Sequence, residues 1–316
     1  MSEVLQIIKQ QLKVIKSISG VENVILTQRD GQPIESAGIW LSKNEIFGVC
    51  SSTSAIFNVA EELHKNRLNH ILIDGERSKI VVTPLHLDSN AHSEFYLIIT
   101  TKNIVNLGSI FIKMKKSLIT IEKLLSNSDK DYKPPLRSFS EDEIKEILDS
   151  FKVKDSIENN ENIIDTFMLQ MSSQTSESIK SCVLDFSKNV PGVKSASVTL
   201  NGGYSICKFV FDPLIDAEGA MSFSLYDTSS RILWMLKKSK VNNVLCSCTS
   251  YSHFIYHIER GSIFTCYIER RDDKRLGLFR LLIPQYVLNL KTYLKEADKK
   301  SIKTFNITQI LNELNI

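Results

Sequence analysis

The residues best suited to bind a metal ion lie close together in the second half of the chain. Cys246 and Cys248 are two positions apart, and His253 and His257 follow them. On a strand, side chains at this spacing point to the same face, so both thiols could reach one ion. Zinc sites usually carry a second pair of ligands like the first, and the chain has no second cysteine pair. The pattern therefore favours small apolar core residues, and we expect neither a metal site nor a cofactor.

Motifs for catalysis are missing from the sequence. The chain has 12 glycines but neither a GxxxxGK[ST] string nor a GxGxxG string, so no glycine-rich loop is predicted to hold phosphate. Glu61 and Glu62 are neighbours on a predicted helix and cannot face each other. A catalytic triad needs a nucleophile, a base and an orienting acid, and no serine elbow motif accompanies the histidines His64, His70, His86 and His92. We therefore expect no catalytic residues and predict that the protein is not an enzyme.

The composition is that of a soluble globular protein with two domains. Of the 316 residues, 42% are hydrophobic and 24% are charged, and a typical domain holds about 100–150 residues. No apolar run reaches the roughly 18 residues that cross a bilayer. The sequence shows no signal peptide and no lipidation motif. We expect a cytoplasmic protein with six reduced cysteines, which contacts membranes only through its partners.

The basic residues of the chain are not arranged for nucleic acid. The formal net charge is +3, which is too small for the field of a dedicated nucleic-acid binder. No aromatic residues alternate with the basic clusters, which disfavours binding of single strands. The clusters are either solvated faces or a patch for an acidic or phosphate-bearing partner, and they lie at 113–116, 237–240 and 270–275.

The first 126 residues are predicted to form one α+β domain. Helical spacing of apolar residues predicts a first helix over 3–18 and a last helix over 107–125. Ser42 and Glu45 form a capping box at the start of a middle helix. The five predicted strands are Val21–Thr27, Pro33–Ala37, His70–Asp74, Lys79–His86 and Glu94–Thr101. The order is α-β-β-α-β-β-β-α, and one antiparallel sheet with helices on both faces would bury the apolar stripes.

Two segments are predicted to lie outside regular domains. Residues 127–175 are polar, with Pro134-Pro135 near their start, and a loop of this length inside one domain is unusual. We predict a linker there, with a short helix near 140–151. The tail 299–316 is predicted to be a short docking helix.

The region 176–298 is predicted to be a divergent second copy of the first domain. Gly192-Val193 matches Gly20-Val21 at an offset of 192 − 20 = 172, and Asn242 matches Asn69 at 242 − 69 = 173. Two matches so far apart in the sequence keep nearly the same offset, which indicates a duplicated unit.

The sequence does not decide the number of strands in the second copy. Four strand candidates lie where the first copy has three, and Pro284 then suits the first turn of a closing helix. Either the first two candidates form one bent strand, or Tyr251–Arg260 is a helical insertion. The candidates are Val244–Cys248, Phe254–Glu259, Ser262–Arg270 and Leu276–Ile283.

This order of elements resembles the roadblock (dynein light-chain) family. The likeness covers residues 3–126 well and 176–297 loosely. It is carried by the entry Gly20–Leu26, the Asp30-Gly31 turn, the capped helix from Ser42, and the hairpin His70–His86 with its Thr83-Pro84-Leu85 end. The resemblance implies two five-stranded antiparallel sheets. In each, the middle helix lies on one face and the first and last helices lie on the other.

The resemblance also implies that two copies pair through the third strand and the middle helix, so that the joined sheet forms a platform. An unpaired third strand would be an exposed edge. The copies could pair within one chain, where the linker gives a high effective concentration, or between chains. The expected interface residues are Ile56, Val59, Leu63, Ile71, Ile73, Ile232, Leu236, Val244 and Leu245.

Roadblock proteins bind Ras-like or Rag-like small GTPases or other adaptors, and some bacterial members stimulate GTP hydrolysis by their partner. The resemblance therefore implies a scaffold for a Ras-like or Rag-like small GTPase. Arg29 and Arg77, both beside turns, are candidates to contact the charge of the transition state. Two alternatives stay open: a structural adaptor for roadblock or longin-type partners, and a ligand sensor of PAS or GAF type.

Overall fold

The order of elements along the chain is the same in both halves, as the sequence predicts. A computed structural model describes residues 3–38, 41–65, 68–85, 95–126, 167–170, 172–200, 203–210, 218–237, 239–259, 261–270, 273–295 and 298–301. Within them the order α-β-β-α-β-β-β-α occurs twice. The α+β class is therefore confirmed.

The first half contains three helices and five strands. They are α1 (Glu3–Lys16), β1 (Val21–Gln28), β2 (Pro33–Gly38), α2 (Lys43–His64), β3 (Leu68–Gly75), β4 (Ser78–Leu85), β5 (Phe95–Lys102) and α3 (Leu107–Ser126). The predicted capping box starts α2: the amide of Glu45 donates to the Ser42 hydroxyl, and the amide of Ser42 donates to the Glu45 carboxylate at 2.8 Å. These bonds satisfy amides that the first helical turn leaves free.

The second half repeats this set after one short strand, β6 (Phe167–Gln170). Its helix α4 begins where the Ser172 hydroxyl accepts from the amide of Thr175 at 3.0 Å. The elements are α4 (Ser173–Asn189), β7 (Val193–Thr199), β8 (Ser205–Val210), α5 (Glu218–Lys237), β9 (Val241–Cys248), β10 (Tyr251–His257), β11 (Ile263–Glu269), α6 (Asp273–Lys295) and a short β12 (Asp298–Ser301).

Ten strands form one antiparallel sheet. Its order is β2-β1-β5-β4-β3-β9-β10-β11-β7-β8. The first five strands belong to the first half, and the second five repeat the same order in reverse. The third strand of each unit, β3 or β9, therefore lies at the middle of the joined sheet.

Helices cover both faces of this sheet, and side-chain alternation along the strands divides the core. On one face α2 and α5 share a single core with residues such as Ile71, Ile73 and Val244. On the other face α1 and α3 cover the first half, and α4 and α6 cover the second, each over a core of its own.

Two hairpin glycines show how alike the halves are. Gly31 joins β1 to β2 and Gly203 joins β7 to β8, with φ of +90° and +88°. A Cβ on Gly31 would lie 2.8 Å from the Cα of Ser51, and one on Gly203 would lie 2.9 Å from the Cα of Ala220. Glycine is thus required twice over, by backbone conformation and by the close approach of each hairpin to its middle helix.

The fourth strand candidate of the second half was wrong. Leu276–Ile283 lies inside α6. The other three candidates correspond to β9, β10 and β11, so the first two do not form one bent strand, and Tyr251–His257 is a strand and not a helical insertion. The predicted helix start at Pro284 was wrong for the same reason, because Pro284 lies within α6. Between residues 277 and 295 of α6, the buried side chains are spaced four, seven and four positions apart, as one helix face requires: Phe279, Ile283, Leu290 and Leu294.

The segments predicted to lie outside the domains are described only in part. The helix predicted near 140–151 lies outside the described residues. Within the predicted linker, β6 pairs antiparallel with β12, which places Phe167 opposite Ser301. Residues 299–301 of the predicted tail helix are therefore extended, and 302–316 lie outside the described residues.

No helix in the described ranges is long and apolar enough to span a bilayer.

Candidate interaction surface

The two halves meet at a seam formed by β3 and β9. These strands pair antiparallel, with Ile71 opposite Cys246, Leu72 opposite Leu245 and Ile73 opposite Val244. The seam also gains backbone bonds at its end, where the amide of Glu76 donates to the carbonyl of Lys240 at 3.1 Å. Pairing within one chain thus covers the edge that each unit would expose alone.

The register of the seam places equivalent residues face to face. Leu72 lies opposite Leu245, and 245 − 72 = 173, which is the offset found between Asn69 and Asn242 in the sequence. A residue opposite its own equivalent marks a two-fold axis, as in an isologous dimer interface. The two halves are therefore related by an approximate two-fold axis through the middle of the seam.

The middle helices lie side by side over this seam. Six of the nine predicted interface residues are buried in the shared core, and Val59 and Leu236 pack against it. The ninth, Leu245, points to the other face and packs against the core under α4 and α6. The six buried residues are Ile56, Leu63, Ile71, Ile73, Ile232 and Val244. The structure thus brings eight of the nine predicted residues together, and they form the contact between the two halves of one chain.

Four small side chains are exposed on the outward side of the two middle helices. Ser51 and Ala55 are exposed on α2, and Ala220 and Ser224 are exposed on α5. Near the end of α5, Trp234 is 56% exposed. Small side chains allow close approach of a partner, and an exposed tryptophan is the kind of residue that anchors protein interfaces.

On the opposite face, the seam forms a half-buried floor between the outer helix pairs. Leu72 packs toward α3, and the His70 ring lies 4.7 Å from the Phe111 ring of that helix. Burial, with a smaller effect of the Arg270 charge, lowers the pKa of His70 to about 4. The imidazole is therefore neutral at pH 7. Arg270 also donates to the Cys248 carbonyl at 3.0 Å, so this floor is tied together by polar contacts.

The two candidate arginines lie in different settings. The guanidinium of Arg29 forms an ion pair of 2.6 Å with Glu61 of α2, whose side chain is 5% exposed. Its backbone carbonyl also accepts from the Ser54 hydroxyl. Arg77 is exposed at the end of the seam, where its amide donates to the Ser239 hydroxyl at 3.1 Å. The Arg29 guanidinium is thus held by an ion pair within the protein, whereas Arg77 is exposed beside the pairing of β3 with β9.

A polar cluster that the sequence did not assemble lies inside the seam. His64 of α2, Cys246 of β9 and His253 of β10 are buried and offer three ligand atoms within 4.8 Å of one another. Burial lowers the pKa of His64 to about 3 and the pKa of His253 well below its usual value, so both imidazoles are neutral at pH 7. Burial raises the pKa of the Cys246 thiol well above its usual value.

The sequence had grouped different residues at this place. Cys248 and His257 are outside the cluster; His257 instead stacks on Tyr226, with ring centroids 5.6 Å apart. The third member, His64, comes from the other half of the chain, 189 residues from His253. No local spacing could have shown this, and only the pairing of β3 with β9 brings the three together.

Comparison with known proteins finds similarity in structure only. No family model and no curated protein matches the chain. MglB of Myxococcus xanthus is 19% identical, covers 42% of this chain and 98% of its own, and gives a TM-score of 0.37. The gliding protein MglB of Thermus thermophilus is 14% identical, with coverages of 39% and 92% and a TM-score of 0.35.

A Roadblock/LC7 domain from Streptomyces avermitilis is 10% identical and covers 37% of this chain and 96% of its own, with a TM-score of 0.32. Scores and identities this low carry no functional argument, and the duplication stands on the strand order and the seam register. The chain is similar to roadblock/LC7 domain structures that each cover about two-fifths of its length.

Proposed function

We propose that this protein is a non-catalytic cytoplasmic scaffold that binds a Ras-like or Rag-like small GTPase and regulates its GTP hydrolysis. The observation that supports the proposal is the seam, because it joins two roadblock-like units into one ten-stranded platform within a single chain. The roadblock resemblance supplies the class of partner. The platform needs no second copy of the chain to be complete.

We assign the GTPase to the α2 and α5 side of the platform. That side carries exposed small residues, which allow a partner to approach closely, and Trp234 at its end, which is 56% exposed. Truncating a central aromatic anchor commonly costs about 2 kcal/mol or more of binding. Arg77 is exposed at the end of the seam and is a candidate to contact such a partner.

The test is calorimetry of the full chain with Ras-like and Rag-like GTPases, each loaded with GDP or with a non-hydrolysable GTP analogue. We expect binding in one nucleotide state and a loss of roughly ten-fold or more in affinity for Trp234→Ala. Leu288→Ala is the matched control, because Leu288 is 57% exposed but lies on α6, on the opposite face of the sheet. Absence of binding in both nucleotide states would refute the proposal.

An adaptor role for roadblock or longin-type partners is a second candidate, and one observation favours it. Among the described strands, β8 is at the end of the sheet and pairs with β7 alone, and it has no buried residue. A partner strand could extend the sheet there. Light scattering of mixtures with such proteins, with hydrogen exchange of the β8 amides, separates this role from GTPase binding.

A further inference from the structure

Three buried side chains from both halves converge at one point of the seam. His64 is in the last turn of α2, Cys246 is on β9 and His253 is on β10. Their exposed fractions are 1%, 0% and 0%. One nitrogen or sulfur atom from each lies within 4.8 Å of the other two. Two imidazoles and a thiol are thus concentrated inside the core that the two halves share.

Backbone pairing fixes the positions of two of these side chains. His253 lies directly opposite Cys246 across the β9–β10 ladder, so both side chains project from the same face of the sheet. Cys246 is also opposite Ile71 of β3 on its other side. The end of α2 lies over this face, which brings His64 onto the pair from above.

The distance between the two imidazoles suits a metal ion. His64 Nε2 and His253 Nδ1 are 3.4 Å apart. Two nitrogens that each lie about 2.0–2.1 Å from a tetrahedral zinc ion are about 3.4 Å apart. The same two atoms are at the long limit of a nitrogen–nitrogen hydrogen bond.

Neighbouring groups hold both rings in place. The second nitrogen of His64, Nδ1, lies 3.1 Å from the Tyr251 hydroxyl. Such an outer contact fixes the tautomer and orientation of a ligating histidine. The His253 ring stacks on Tyr267, with centroids 4.0 Å apart and planes 8° apart. Among the described residues His253 Nε2 has no hydrogen-bond partner, so protein contacts alone leave this buried ring only partly satisfied.

We propose that His64, Cys246 and His253 bind one transition-metal ion, zinc by preference, between the two halves of the chain. Imidazole and thiolate donors select zinc over magnesium or calcium, which require oxygen ligands. Three protein donors leave one tetrahedral position for a non-protein ligand. Binding joins α2 of the first half to β9 and β10 of the second. The proposal is independent of GTPase binding.

The site exists on only one side of the two-fold axis. The offset of 173 relates His64 to Lys237, Cys246 to Ile73 and His253 to Ile80. Ile73 lies opposite Ile80 across β3 and β4, as Cys246 lies opposite His253. Lys237 forms an ion pair of 3.0 Å with Glu22 instead. The symmetric position holds no donor set, so the expected stoichiometry is one ion per chain.

Cobalt titration of the full chain, freed of metal by a chelator, tests the site directly. We expect saturation at one equivalent of Co²⁺, with a sulfur-to-cobalt charge-transfer band that Zn²⁺ then removes. Cys246→Ser should abolish the band. Cys266→Ser is the matched control, because Cys266 is also 0% exposed but belongs to the core under α4 and α6. It should keep the band and the stoichiometry.

Thermal unfolding with and without one equivalent of Zn²⁺ gives a second readout. An ion that binds only the folded chain should raise the unfolding temperature of the wild type by several degrees. His64→Gln and His253→Gln should lose this shift. If Cys246→Ser does not fold, His64→Gln decides: an unchanged shift and an unchanged cobalt band overturn the proposal. The proposal is also overturned if the wild type shows no saturation at one equivalent, or if Cys266→Ser loses the band as Cys246→Ser does.

Discussion

Ile71 shows how a single side chain can control the joint. It is fully buried on β3 and lies opposite Cys246 of the other half. We expect Ile71→Asp to lower the free energy of unfolding by several kcal/mol, because a carboxylate would be desolvated among the apolar side chains of the shared core. Urea unfolding followed by circular dichroism measures the change.

Asn69→Asp is the control for this substitution. It introduces the same charge on the same strand at an exposed position. Its effect should stay within about 0.5 kcal/mol. If Ile71→Asp unfolds at the same urea concentration as Asn69→Asp, the seam contributes little to stability and the joint is not where the strand pairing places it.

Gly31→Ala tests the approach of the first hairpin to α2. Its φ of +90° disfavours any side chain, and an added Cβ would lie 2.8 Å from the Cα of Ser51. We expect a loss of about 1–2 kcal/mol from the backbone conformation alone, with a further loss from the overlap. Gly277→Ala is the opposite control. No atom lies within 4 Å of its added Cβ, and it lies in α6, so helix propensity should stabilise it by about 0.5–1 kcal/mol. Thermal unfolding should show a lower unfolding temperature for Gly31→Ala and a higher one for Gly277→Ala.

The candidate site was only partly predictable at this scale. The roadblock resemblance placed Ile71, Ile73 and Val244 at the pairing of the two copies, and the structure buries all three in the core that the halves share. Spacing along the chain grouped Cys246 with His253 but not with His64, because it compares only residues that are close together in sequence. His64 and His253 are 189 residues apart in sequence, so this group of possible metal ligands can be recognised only from the folded structure.

Among the elements, α2 has the most explicit start signal. Ser42→Ala removes the hydroxyl that accepts from the Glu45 amide, and Ser42 is exposed, so no core packing changes. We expect a loss of about 0.5–2 kcal/mol. Ser51→Ala, at an exposed position within the same helix, should be neutral or slightly stabilising, because alanine is the better helix former. Equal effects of the two variants in thermal unfolding would mean that the cap is not formed in solution.

Element types were predicted correctly from the sequence in the first half, but not for β6 in the predicted linker or near the end of the second half. Capping residues, turn glycines and alternation placed the three helices and five strands of the first half closely. In Leu276–Ile283 the apolar residues are so dense that a strand and a helix face predict the same pattern. The exposed Leu281 and the buried Ile283 distinguish them only once the structure is known. Pro284 strengthened the error, because proline inside a helix costs a hydrogen bond and usually marks a start.

For the whole molecule, the seam predicts that the halves stay together without a covalent link. Cutting the chain at a protease site introduced into the predicted linker, between residues 127 and 166, tests this. We expect the two fragments to co-elute in size-exclusion chromatography, because β3 pairs with β9 and α2 packs on α5 in one shared core. Multi-angle light scattering should give the mass of one intact chain.

The same cut in Ile71→Asp provides the control. Its fragments should separate, because the charge weakens the only continuous strand pairing between the two halves among the described elements. Fragments of the wild type that elute apart under native conditions would show that the linker, and not the seam, holds the halves together.

One consequence follows from Leu72 meeting Leu245 inside one polypeptide. Dimers of separate subunits dissociate when diluted and exchange members with related proteins. Here both members are translated together in fixed proportion, and their contact is insensitive to protein concentration. Cellular abundance therefore sets how many platforms exist, but it does not decide whether each one is assembled.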